Sequence, residues 1–170
     1  MRELFVTFFY VGNIPKAPGT FGTFAALPFA LAILLVMPAS TLFLSALFLL
    51  IIGAKVITAY EADTGIHDDK RIVIDEVAGL FLAVSIAPGA MIPMESYLNF
   101  STPENLALFI PVAMSLAYFR LFDIWKPSII GRIDRDVQGG WGVMGDDIVA
   151  GFVAGVASSM TWVAITKLLY

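Results

Sequence analysis

Between Lys16 and Lys55 the chain carries no charged residue. Within that gap residues 24–52 are nearly all apolar, with prolines at Pro28 and Pro38. As one helix this run would extend about 43 Å at about 1.5 Å per residue, too long for a hydrocarbon core of about 30 Å. As two full spans it is too short. The sequence "MPAS" at residues 37–40 reads as a break, because proline is disfavoured in a helix interior. The run is therefore either one tilted helix or a tight hairpin of two short helices.

Three further apolar runs follow, at residues 77–94, 106–119 and 148–165, with the polar stretch "ESYLNFSTPEN" between the first two. All are too long for strands and lack period-two alternation. The chain is 59% hydrophobic and only 14% charged, against about 25% charged in soluble domains. The expected fold is all-α: a single-domain polytopic membrane helical bundle over residues 1–170, with short or broken helices. The short apolar run at the N-terminus lacks a following small-residue cleavage site, so no cleaved signal is expected.

Topology separates the two readings of the first run. A hairpin puts residues 1–23, 55–76 and 120–147 on one side of the membrane. That side then holds every Lys and Arg except Lys167, nine of the ten. The positive-inside rule makes it cytoplasmic. A single long helix would send Arg2 and Lys16 to the other side. The hairpin is preferred, which gives five membrane segments, Lys16 and Lys70 on one side, and a functional site on the cytoplasmic face.

That face is acidic. Asp68, Asp69, Asp75 and Glu76 precede one apolar run, and Asp146 and Asp147 precede another, with Asp123, Asp134 and Asp136 between. Helix dipoles and N-caps favour isolated acids at such positions. A set this dense at a membrane boundary is costly unless paired, solvated or bound to a cation. Oxygen-only ligands favour Mg²⁺ or Mn²⁺ over zinc. Two glycine-rich stretches, "APGTFGT" and "GGWGVMG", read as loops whose backbone N–H groups suit an anion, with Thr20 and Thr23 adding hydroxyls. Asp123 and Lys126, three apart, would share a helix face, with Lys126 a phosphate contact. Arg120 and Arg132 read as interfacial anchors. His67 reads as a solvated loop residue.

Composition excludes several chemistries. With no cysteine there is no thiolate nucleophile, disulfide or zinc-thiolate site. One histidine cannot support a two-histidine phosphatase mechanism. A net charge of −4 argues against nucleic acid. After "DRDV" stands Gln138, where the haloacid-dehalogenase motif continues with Thr or Val, and an EF-hand starting at Asp63 would need glycine where Asp68 stands. A cation-binding transporter or channel is the competing class, although no apolar run carries a charge in its interior.

The blocks "PKAPGTFGT…ALP", "HDDKRIVIDEVAG", "FRLFDIWKP" and "DRDVQGGWGVMGDDIVAG" together resemble the phosphatidylglycerophosphatase A family, in its order and with similar separations. Ser128 stands where the family often has Pro, and Gln138 where it often has His. The resemblance implies a Mg²⁺-dependent phosphatase of the bacterial inner membrane that converts phosphatidylglycerophosphate, its lipid partner in the bilayer, to phosphatidylglycerol. Set on this sequence, it implies Asp75, Glu76, Asp123, Lys126, Asp134 and Asp147 as catalytic residues. Metal ligands would be Asp68, Asp75, Glu76, Asp146 and Asp147. Substrate would meet Lys16, Pro18, Gly19, Thr20, Gly22, Thr23, Lys126, Arg135, Gly139 and Gly140.

Overall fold

The computed structural model describes residues 1–88 and 109–169. These form seven α-helices and no strand among the described residues: α1 (Arg2–Val6), α2 (Pro18–Val36), α3 (Ala39–Thr64), α4 (Ile74–Ile86), α5 (Phe109–Trp125), α6 (Ile129–Asp136) and α7 (Gly140–Leu169). The stretch "ESYLNFSTPEN" and the end of the second apolar run lie outside the described residues.

Proline sets several boundaries. A residue before proline avoids the α region, and Met37 is extended (φ −136°, ψ 153°) ahead of Pro38. The first apolar run therefore breaks into the hairpin α2–α3, and the single-helix alternative is ruled out. Pro18 sits in the first turn of α2, where its missing N–H costs nothing. Ala87, ahead of Pro88, closes α4. Gly65 caps α3 in the left-handed region (φ 69°), and its N–H donates to the Glu61 carbonyl at 2.8 Å.

Among the described residues three helices are long and apolar enough to cross a membrane: α2, α3 and α7 up to residue 168. At about 1.5 Å per residue, α3 and α7 reach about 39 and 45 Å, so each outruns the hydrocarbon core by at least a turn. Their surplus turns, at the end of α3 and the start of α7, carry polar residues. α4 is different. At about 20 Å it is too short to span alone, and residues 77–85 are all buried. A helix apolar on every side belongs in a core, and α4 packs against α2, α3, α5 and α7. Its acidic first turn thereby sits at the centre of the bundle's end.

Small residues let α4 and α7 approach closely. A Cβ on Gly151 would collide with the Gly79 carbonyl, and one on Gly79 would lie 2.5 Å from the Phe119 ring and 2.7 Å from the Asp147 carbonyl. Gly79→Val is therefore expected to destabilise the protein by about 1–3 kcal/mol or more, as overpacking does. A lowered Tm in detergent checks this, and an unchanged Tm would contradict the packing described.

Candidate active site

A polar cavity of about 700 Å³ opens where α2, α4 and α7 begin and α3 and α5 end. The central helix supplies Asp75 and Glu76 in its first turn. α7 contributes Asp146 and Asp147, which are buried. One oxygen from each of Asp75, Glu76 and Asp147 lies within 4.8 Å of the others. These three acids come from opposite parts of the chain, and the α4–α7 glycine contact brings them together.

Asp75 and Glu76 touch the cavity, yet protein surrounds them closely. Burial, then the neighbouring Glu76, pushes the Asp75 carboxyl well above its ordinary range. Burial also pushes Glu76 up to about 8; Asp147 and Asp123 reinforce the rise, while Asp75 and Arg120 oppose it. Glu76 Oε2 is buried without a hydrogen-bond partner. A cluster of this kind is unfavourable as three carboxylates alone and favourable around a cation. Two oxygens on one Mg²⁺ lie about 4 Å apart or less, within small side-chain rotations of the separations here. The residues present fit such an ion.

Asp146 turns the other way. Lys126 Nζ donates to Asp146 Oδ2 at 2.7 Å and to Asp134 Oδ1 at 2.5 Å. Burial lowers the Lys126 pKa, but these two carboxylates outweigh it and hold the ammonium above its ordinary range. The expected shared face of Asp123 and Lys126 is not formed. Lys126 precedes Pro127, so α5 ends at Trp125 and Lys126 takes a left-handed backbone (φ 47°) that swings it toward α6 and α7. Backbone strain of this kind in a non-glycine residue concentrates at functional sites.

Asp123 pairs instead with Arg120, whose Nη1 donates to Asp123 Oδ2 at 2.5 Å and to Thr23 Oγ1 at 3.2 Å, while Nη2 donates to Thr20 Oγ1 at 3.2 Å. The anchor reading of Arg120 is thus overturned: its side chain is mostly buried, tied to the first turn of α2. Spacing in an apolar segment suggests an interfacial cation, and only the hydrogen bonds from Arg120 across to α2 show otherwise.

The two glycine-rich stretches are not loops. Pro18 to Thr23 form the first turns of α2, and Gly140 to Gly145 the first turns of α7. Their glycines permit contact: a Cβ at Gly19 would strike the Glu76 carboxylate, at Gly22 the Val73 side chain, and at Gly140 the Ala54 carbonyl. Pro18, Gly19, Thr20, Arg135 and Gly139 line the cavity; Gly22, Thr23 and Gly140 are buried beside it. Lys16 is exposed just outside the lining. Asp68 lies on the exposed rim, apart from the three converging acids, and its N–H donates to Glu61 Oε1 at 3.0 Å.

Glu61 itself escaped the sequence reading, since one acid near the end of a long apolar helix looks like a surface residue. It is buried and lines the cavity; His67, 3.8 Å away, lines it too but is exposed. The loop carrying His67 and Asp68 is fastened by Asp69. The Arg71 guanidinium grips its carboxylate at 2.7 Å and holds it below the usual range, and the Tyr60 hydroxyl donates to it at 3.1 Å.

Known proteins point the same way. The family model described as phosphatidylglycerophosphatase A matches residues 4–162. The Escherichia coli phosphatidylglycerophosphatase A is 33% identical over 84% of this chain and 73% of its own length. The Haemophilus influenzae protein of the same name is 30% identical over 84% of this chain and 77% of its own. A Bacteroides thetaiotaomicron relative, named provisionally as a phosphatidylinositol-3-phosphatase, is 30% identical over 85% of this chain and 83% of its own. No solved structure matches the chain.

Proposed function

The chain belongs to the phosphatidylglycerophosphatase A family, and from that premise we propose that it hydrolyses the terminal phosphomonoester of phosphatidylglycerophosphate in a bacterial inner membrane, with Mg²⁺ as cofactor. The net reaction consumes water: the P–O bond to the alcohol breaks, a P–O bond to a water oxygen forms, the alcohol leaves with a proton, and inorganic phosphate is released. The observation that carries the reading is the convergence of Asp75, Glu76 and Asp147 in one cavity with Lys126.

Asp75, Glu76 and Asp147 would hold the ion. When bound, it supplies charge to neutralise a phosphate and to lower the cost of the departing alkoxide. The protein's own groups do the rest. Lys126 and Arg135 present cations to the phosphate from the cavity wall. The first turns of α2, α4 and α7 point positive dipole ends into the same space, which favours an anionic headgroup. Arg120 holds Thr20, Thr23 and Asp123 in register, fixing the α2 side of the cavity. Asp134, at the exposed end of the Lys126 pair, holds the ammonium at the cavity wall.

The cavity faces the cytoplasm in this reading, because the cation-rich segments lie at its end of the bundle and the chain crosses the membrane several times. Transport is the weaker alternative. Below the acids, residues 77–84 of α4 are apolar and buried, so this central helix offers no polar group to an ion there.

Purified protein in mixed micelles should release phosphate from phosphatidylglycerophosphate with Mg²⁺ and stop with excess chelator. Equal release with and without chelator would remove the metal from the proposal. No release under either condition would remove the activity.

A further inference from the structure

One wall of the cavity is unlike the rest. Ile124 and Val137 line it beside acids and cations, and both are exposed, at 71% and 42%. Trp125, next to Ile124, is 70% exposed, and Trp141, one turn beyond Val137, is 51% exposed. Ile129 on α6 extends the same apolar edge at 56%. Arg132 and Arg135 on α6 are exposed and make no ion pair among the described residues. Large apolar side chains on the rim of a cavity lined by acids and cations gain nothing from exposure to water. Tryptophans beside unpaired arginines have the composition of a membrane–water boundary.

We infer that this edge is the cavity's doorway to the bilayer: Ile124 and Val137 seat the glycerol backbone and first acyl carbons of a phospholipid whose phosphomonoester enters the cavity, with Trp125 and Trp141 in the headgroup layer on either side. The inference rests on the phosphatase reading for the headgroup, but the seat is defined by the lip alone. Its occupant is an amphiphile because the surface is one: charged inside, apolar at the rim, flanked by cations that suit lipid phosphates. Selection for lipid over a soluble phosphomonoester therefore resides in Ile124 and Val137, which are not members of the metal cluster.

Two arms test this. In the first, kcat/KM is compared for long-chain phosphatidylglycerophosphate and for its deacylated, water-soluble headgroup. Ile124→Ser and Val137→Ser should each lower the lipid-to-soluble ratio about tenfold, the worth of one aliphatic side chain removed from water. An unchanged ratio in both variants would overturn the inference. The second arm needs no turnover. In Trp162→Phe protein in nanodiscs, the remaining tryptophans, Trp125 and Trp141, should be quenched by lipids brominated near the headgroup, more than by lipids brominated at the chain ends. Failure of headgroup-level lipid to quench would overturn the doorway. Inactivity on both substrates would end the phosphatase reading while quenching still decides the lip.

Discussion

Asp75→Asn and Asp147→Asn should each reduce turnover by more than about 100-fold, the upper end of what loss of even an outer partner of a metal costs. Each substitution keeps the side chain's size and removes one negative charge from a cluster whose oxygens lie within 4.8 Å. If the acids hold Mg²⁺, part of the lost activity should return as Mg²⁺ is raised, because a weakened site fills by mass action. Folding is not expected to suffer. The three carboxylates repel one another in the absence of a cation, so removing one charge relieves the cluster. Phosphate release across a Mg²⁺ series, with Tm as the folding control, checks both points. Wild-type turnover at limiting Mg²⁺ in both variants would show that these acids do not hold the ion, and would leave Asp147 as a residue of the α7 first turns only.

Lys126→Ala should behave differently. Its ammonium bridges Asp134 and Asp146, so it stands beside the metal cluster and not within it. Removing one electrostatic donor to a transition state costs about 10²–10³ in turnover, about 2.7–4 kcal/mol. Added Mg²⁺ should not restore this loss, since the ion's own ligands remain. Removing Lys126 also leaves Asp146 buried with neither oxygen partnered, as Oδ1 already lacks a hydrogen bond. A modest fall in Tm is therefore expected alongside the kinetic loss. Lys126→Arg keeps the charge and should hold stability near wild type. Recovery of Lys126→Ala by Mg²⁺ would reassign the lysine to the metal's surroundings.

How much of this was legible beforehand follows from what each feature depends on. The hairpin was readable because its break is local: Met37 precedes Pro38, and sterics between neighbours settle the matter. The same rule was available at Lys126, ahead of Pro127, but i, i+3 spacing suggested a continuing helix. The acids could be gathered from their position at apolar boundaries. Their division into a converging trio, an Asp146 bound to Lys126, and an Asp68 left on the rim depends on how α4 is centred in the bundle. Glycine's low helix propensity made residues 140–145 look like a loop. Close packing on Ala54 and Val137 overrides that preference, because only glycine fits there. Arg120 and Glu61 owe their burial to neighbours distant in sequence, and no local signal marks them.

The central claim is that Asp75, Glu76 and Asp147 bind one divalent ion, and Mn²⁺ titration followed by electron paramagnetic resonance addresses it without any substrate. Detergent-solubilised wild-type protein should remove Mn²⁺ from solution, and added Mg²⁺ should displace it. Asp147→Asn and Glu76→Gln should each weaken the binding by more than about tenfold, while Lys126→Ala should retain it. Tight Mn²⁺ binding that survives both acid substitutions in folded protein would contradict the claim.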